Sequence, residues 1–222
     1  MIAGKRGGCR AAALTIALVA WAVLAAPADG DIVNGNFEAT PPLAGWTSQA
    51  LNPPGDYIEG IFDSALSSTV AHLHAEATYT YEQGQWTGNL GQAWLFQAPV
   101  VTQADEYQLR LDARSAVSGL EVSDPAVTVT VAGGGGGGGA LTSALWTAYT
   151  FPIVDGVGQP IGPGSMISVL LEITANAPAS AGYEDQQVTQ TLDLYVDNVH
   201  LVPLPAPAIL LVLGAAWVLR RR

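Results

Sequence analysis

Short runs in which every second residue is apolar fill the middle of this 222-residue chain, and that period limits what it can fold into. In Tyr107-Gln108-Leu109-Arg110-Leu111-Asp112-Ala113, the residues Tyr107, Leu109, Leu111 and Ala113 share one face of an extended strand. Gln108, Arg110 and Asp112 share the other. From Val127 to Val131, valines alternate with threonines in the same way. The clearest runs are Thr69–Thr78, Gly91–Gln97, Tyr107–Ser115, Ala126–Ala132, Trp146–Ile153, Met166–Thr174 and Thr191–Leu201; Ile32–Phe37 and Tyr57–Phe62 are weaker. Gly, Pro and Asn separate them, and no useful length between Asp29 and Val202 carries the helical period. About eight or nine strands so spaced predict an all-β domain over residues 29–201, a jelly-roll β-sandwich. Within it, Gly133–Gly139 is a run of seven glycines. A phosphate-binding loop needs a lysine followed by Ser or Thr and then a helix, whereas Ala140-Leu141-Thr142-Ser143 follows here. The run therefore reads as a long flexible hairpin loop.

Charge narrows the function. The chain has 8 Lys and Arg against 19 Asp and Glu, and the two signs are segregated. Six of the positives lie in the first ten or last three residues. Every acid lies between Asp29 and Asp197, where Arg110 and Arg114 are the only cations, so that region carries a formal −17. Nucleic-acid binding, which needs a basic face to displace counterions, is excluded as a function class. Docking on anionic lipid is disfavoured for the same reason.

The two ends read as addresses. Lys5, Arg6 and Arg10 precede the apolar run Ala11–Ala26, and Ala26-Pro27-Ala28 supplies small residues before Asp29. Residues 1–28 thus predict a secretory signal peptide with a signal helix, cut by signal peptidase; the alternative is an uncleaved anchor. Cys9, the only cysteine, lies inside that leader, so the exported domain would have neither disulfides nor cysteine chemistry. At the other end stands VPLPAPAILLVLGAAWVLRRR, residues 202–222. Its apolar stretch Ala206–Leu219 spans about 21 Å as a helix, and counting from Leu201 gives about 28 Å, near the hydrocarbon thickness. A single transmembrane helix with Arg220, Arg221 and Arg222 in the cytoplasm is predicted. The order of Val202-Pro203-Leu204-Pro205-Ala206, an apolar helix and the arginine cluster resembles the PEP-CTERM sorting signal in its VPLPA form. That resemblance implies recognition by an exosortase of a Gram-negative inner membrane. It also implies removal of the tail and release to the cell envelope, surface or exopolysaccharide matrix. A plain tail anchor is the alternative.

A second resemblance covers the middle. Asn34-Gly35-Asn36-Phe37-Glu38 followed by Gly45-Trp46 is similar to the opening of galactose-binding-like jelly rolls, including carbohydrate-binding modules of families 4, 9 and 22. Gly91-Gln92 with Phe96, the strand Tyr107–Ser115 and the closing Leu194-Tyr195-Val196-Asp197-Asn198-Val199 are similar to later strands of that family. The resemblance implies a structural calcium ion held in part by Glu38 and Asp197, with backbone carbonyls completing the shell. Solvated or capping roles for the two acids are the alternative.

Two groups of side chains are candidate sites. His72, His74 and Glu76 alternate along one predicted strand and share a face, where imidazole and carboxylate can hold a transition metal. The spacing departs from that of cupins, and a solvent-facing polar row is the competing reading. Tyr79, Tyr81 and Trp86 lie near Glu82, Gln83 and Gln85, the mix of rings and hydrogen-bonding groups that sugars require. Trp46, Trp94 and Trp146 read as core. Catalysis is not expected: no G-x-S-x-G stretch exists, and abundant acids do not by themselves make a glycosidase pair. The sequence therefore predicts an exported, non-catalytic surface protein associated with extracellular polysaccharide, or else a purely structural matrix component.

Overall fold

The period-two runs form strands, and further strands join them. The computed structural model describes residues 31–82, 85–102, 105–118, 124–175 and 187–204, with backbone alone for 85 and 86. In chain order the strands are β1 (Thr47–Ala50), β2 (Tyr57–Asp63), β3 (Ser68–Glu82), β4 (Gln85–Asn89), β5 (Gly91–Gln97), β6 (Tyr107–Ser118), β7 (Ala126–Val131), β8 (Gly135–Ala140), β9 (Thr147–Asp155), β10 (Ile167–Ala175) and β11 (Gln187–Pro203). All pairings are antiparallel. Sheet A runs β1-β5-β10-β7-β8, and sheet B runs β9-β6-β11-β3-β2 with β4 also on β3. β5 and β10 lie against β3 and β11, which makes the two layers of a jelly-roll-like sandwich. The predicted leader (residues 1–28), Pro205, Ala206, the tail helix and Arg220–Arg222 lie outside the described residues. Among the described residues no helix is long and apolar enough to cross a membrane.

The core is built from the inward half of each alternation. Leu95 of β5, Val127 and Val129 of β7, and Val169, Leu171 and Ile173 of β10 come from one sheet. Leu73 of β3, Leu109 and Leu111 of β6, and Leu192, Leu194 and Val196 of β11 come from the other, all of them buried. Each such side chain contributes roughly 1.5–3 kcal/mol by leaving water. In β11 simple alternation would next bury Asn198 and His200. Instead the register on β6 slips between Asp197 and His200, a bulge with Asn198 at φ 52°. Asparagine tolerates that left-handed conformation. The slip turns Val199 and Leu201 inward and leaves Asn198 and His200 outside, while Asp197, opposite Asp112 and before the slip, stays on the outer face yet is buried.

Three expectations are corrected. Ile32–Phe37 is a turn rather than a strand, with Asn34 and Phe37 at φ 52° and 54°. Its motif acts as a rivet: Gly35 accepts a hydrogen bond from Val199 N–H at 2.9 Å, and Phe37 is buried against Trp46 at 5.6 Å between ring centroids. The domain does not stop at Leu201. Val202 and Pro203 pair with Gln108 and Tyr107, and Leu204 N–H donates to Glu106 O at 2.7 Å. Finally, most of the glycine run is strand β8, which joins β7 to β9 and so links the two sheets along one side. A Cβ at Gly136 (φ 148°) or Gly138 (φ 133°) would run into the carbonyl oxygen of Val129 or Val127. Glycine is required there by the close approach of backbone to backbone.

Gly138→Ala is therefore expected to destabilise the protein by about 1–3 kcal/mol. Gly162→Ala, in open space, leaves stability unchanged. Urea denaturation of both variants checks this; equal midpoints would contradict the β8 pairing.

Candidate functional site

The outer face of sheet B follows from the same alternation. With Leu73 and Ala75 inward, His72, His74 and Glu76 point out of β3; with Leu192 and Leu194 inward, Asp193 and Tyr195 point out of β11. Register then aligns them in two rows. Tyr57, His74 and Asp193 form one, and Glu59, His72, Tyr195 and Arg114 form the other. Side chains directly opposite on neighbouring strands touch.

Asp193 Oδ1 lies 2.7 Å from both His72 Nε2 and His74 Nδ1. Burial pushes the Asp193 carboxyl up, but the two histidine hydrogen bonds outweigh it and hold the group below its usual range. The rings are stacked side by side. Tyr57 lies on His74 at 4.6 Å and 17°, and Tyr195 lies on His72 at 4.3 Å and 5°. The Arg114 guanidinium covers Tyr195 at 3.9 Å and faces Trp146 at 5.5 Å. Because β3 and β6 flank β11, His72 and Arg114 cover opposite faces of Tyr195. Arg114 also donates to Asp63 Oδ2 at 3.1 Å. Burial raises Asp63, yet N–H donors from Ala65 and Leu66 together with Arg114 bring it below the ordinary carboxylate value.

The structure distributes the predicted site residues unevenly. His72 and His74 are together, and their partner is Asp193, across the strand pair. Glu76 is exposed and outside the cluster. Tyr79 and Tyr81 are 7% and 8% exposed, on the core-facing side of β3, so neither offers a ring face to a ligand. Trp86 pairs through its backbone with Tyr81. Trp146 is half-buried beside Arg114 rather than in the core. Asp193, Tyr195 and Arg114 join the site only through register, which pattern reading of single strands does not supply.

Glu38 and Asp197 meet at one corner. Glu38 accepts from Thr69 N–H at 2.6 Å, and Asp197 accepts from the neighbouring Ser68 hydroxyl at 2.8 Å and from Asn198 N–H at 2.7 Å. Asp112 faces Asp197 across β6 and β11 and accepts from Asn198 Nδ2 at 2.9 Å. Burial, followed by the charges of Asp112 and Glu38, pushes the Asp197 carboxyl up. Farther along, Asp31 ties the start of the domain to its last strand, accepting from Leu201 N–H at 2.9 Å and lying 3.5 Å from His200.

Together these features define a β-sandwich module with a band of rings, carboxylates and imidazoles on the outer face of sheet B. No protein-family model matches the sequence, and no curated protein does. Among solved structures, the chain is similar to the carbohydrate-binding module TmCBM61 in complex with β-1,4-galactotriose. The identity is 11%, the match covers 78% of this chain and 99% of that one, and the TM-score is 0.47. It is also similar to the N-terminal cellulose-binding domain of Cellulomonas fimi β-1,4-glucanase C (16% identity, 82% and 99% covered, TM-score 0.35). A third is the K1 cleaved adhesin domain of Lys-gingipain from Porphyromonas gingivalis (9% identity, 73% and 92% covered, TM-score 0.38). At such distances the functional reading has to come from the side chains of this chain.

Proposed function

We propose that this protein is an exported, non-catalytic module that associates with extracellular polysaccharide through the outer face of sheet B. The observation that carries the reading is the band itself, in which Tyr57, Tyr195 and Trp146 alternate with Glu59, His72, His74, Asp193 and Arg114. Sugars present apolar C–H faces and a rim of hydroxyls, and rings set among hydrogen-bonding groups meet both. Tyr57 is the stacking platform: it is 38% exposed on β2, with His74 behind it. Tyr195, covered on both faces, orders the band. Retention of the purified protein on extracellular polysaccharides, by affinity electrophoresis, tests this. Tyr57→Ala should weaken retention roughly three- to tenfold, the scale of one stacking contact. No retention of the wild-type chain on any polysaccharide would sink the reading in favour of a purely structural matrix role.

Export and sorting belong to the same proposal. Signal peptidase would remove residues 1–28, and an exosortase would read the tail that begins at Val202. Because β11 holds Val202 and Pro203, and Leu204 is bonded to Glu106, a cut beyond Leu204 leaves the sheet intact. Pro205→Ala should leave full-length precursor in the inner membrane, visible on immunoblots of fractionated cells. Normal processing of that variant would rule out exosortase recognition of the proline motif.

Calcium at Glu38 and Asp197 is part of the proposal too. The crowding of Asp197 with Asp112 and Glu38 is a charge arrangement that a hard divalent ion with oxygen ligands relieves. Added CaCl2 should raise the Tm of metal-stripped protein, worth about 2.7 kcal/mol at a hundredfold excess over Kd. Asp197→Asn should abolish the rise. An unchanged wild-type Tm would exclude calcium.

A further inference from the structure

We propose that His72 Nε2, His74 Nδ1 and an Asp193 oxygen form a three-ligand site for a divalent transition ion of the zinc class, with Glu59 as the outer carboxylate. The three ligand atoms lie within 4.8 Å of one another. Asp193 Oδ1 faces both ring nitrogens at 2.7 Å, so unless an ion sits between them each nitrogen carries a proton to donate. A neutral imidazole has one N–H and one lone pair. Protonation at Nε2 therefore leaves His72 Nδ1 as a bare acceptor. That atom is buried without a hydrogen-bond partner, and Glu59 Oε1, another acceptor, lies 3.5 Å away. Neutral His72 thus sets two acceptors against each other.

A metal ion on Nε2 reverses this. The ring proton moves to Nδ1 and points at Glu59, giving the carboxylate–histidine–metal arrangement that fixes tautomer and ring orientation in metal sites. Metal bonds of about 2.0–2.2 Å need the nitrogen–oxygen separations to open to about 3.3 Å, which small side-chain rotations provide. The two imidazole planes are already set by their stacking on Tyr195 and Tyr57. Two imidazoles and one carboxylate suit zinc and its neighbours, whereas calcium takes oxygen ligands alone. The side chains of His74 and Asp193 are 14% and 21% exposed, so the remaining coordination position opens outward from the sheet. This site is separate from the all-oxygen corner at Glu38 and Asp197, and it depends on neither the glycan nor the calcium reading.

Calorimetric titration of the purified full chain with ZnCl2, in excess CaCl2, tests the site. One zinc ion per chain is expected, and cobalt(II) in its place should give the visible bands of a low-coordinate ion. His74→Gln should weaken zinc binding by well over tenfold and remove the cobalt bands. Glu59→Gln, whose side chain is 53% exposed and whose loss spares the fold, should weaken it about tenfold. His200→Gln, away from the cluster, should bind as the wild type does. Absence of calcium-resistant zinc binding would overturn the site, as would wild-type affinity in both Glu59→Gln and His74→Gln. If His74→Gln does not fold, as judged by circular dichroism, Glu59→Gln decides alone.

Discussion

Strand β11 is the axis on which the rest depends. It pairs with β3 along one side and with β6 along the other. Its inward residues Leu192, Leu194 and Val196 are buried in the core, and its outward Asp193 and Tyr195 complete the band. Its next outward residue, Asp197, reaches the Ser68–Thr69 corner, and a bulge just beyond brings Val199 to Gly35. Core, band, acidic corner and N-terminal rivet are thus four uses of one strand's alternation. A slip of one residue would exchange its faces and undo all four.

Much of the fold was legible because half-buried strands advertise themselves by period. The alternating runs coincide with β5 at both ends and with β3, β6, β7, β9, β10 and β11 within a few residues. What stayed hidden had no side-chain pattern to show. β8 is glycine through most of its length, so its pairing rests on the absence of side chains. β1 and β4 are four and five residues long. The bulge at Asn198 altered the phase that simple alternation implied. The site was half legible: His72 and His74 stood out as an i, i+2 pair, but Asp193 lies 119 residues beyond His74. Only strand register makes them neighbours. Tyr79 and Tyr81 were misplaced because their alternation also fits the inward face of β3.

Electrostatics gives the band a particular character. The domain has two arginines among nineteen acids. Arg114 is held between Tyr195, Trp146 and Asp63, while Arg110 is exposed and reaches Gln108. The partly buried cation therefore braces the band, and most carboxylates have no fixed counter-charge nearby. Such a surface repels anionic polymers over about 8–10 Å in physiological salt. Contact with an acidic glycan is then favoured by divalent ions that bridge like charges.

The place of β11 also bears on the order in which the protein comes together. Ribosomes deliver chains from the N-terminus, so the strand that separates β3 from β6 is the last of the eleven to arrive. Until it does, sheet B consists of two unconnected parts, β2-β3-β4 and β6-β9. Sheet A, by contrast, has all its strands once β10 has emerged. Its pairing with β3 joins segments more than a hundred residues apart, the kind of closure that slows folding. A chain built this way keeps sheet B open until β11 has emerged.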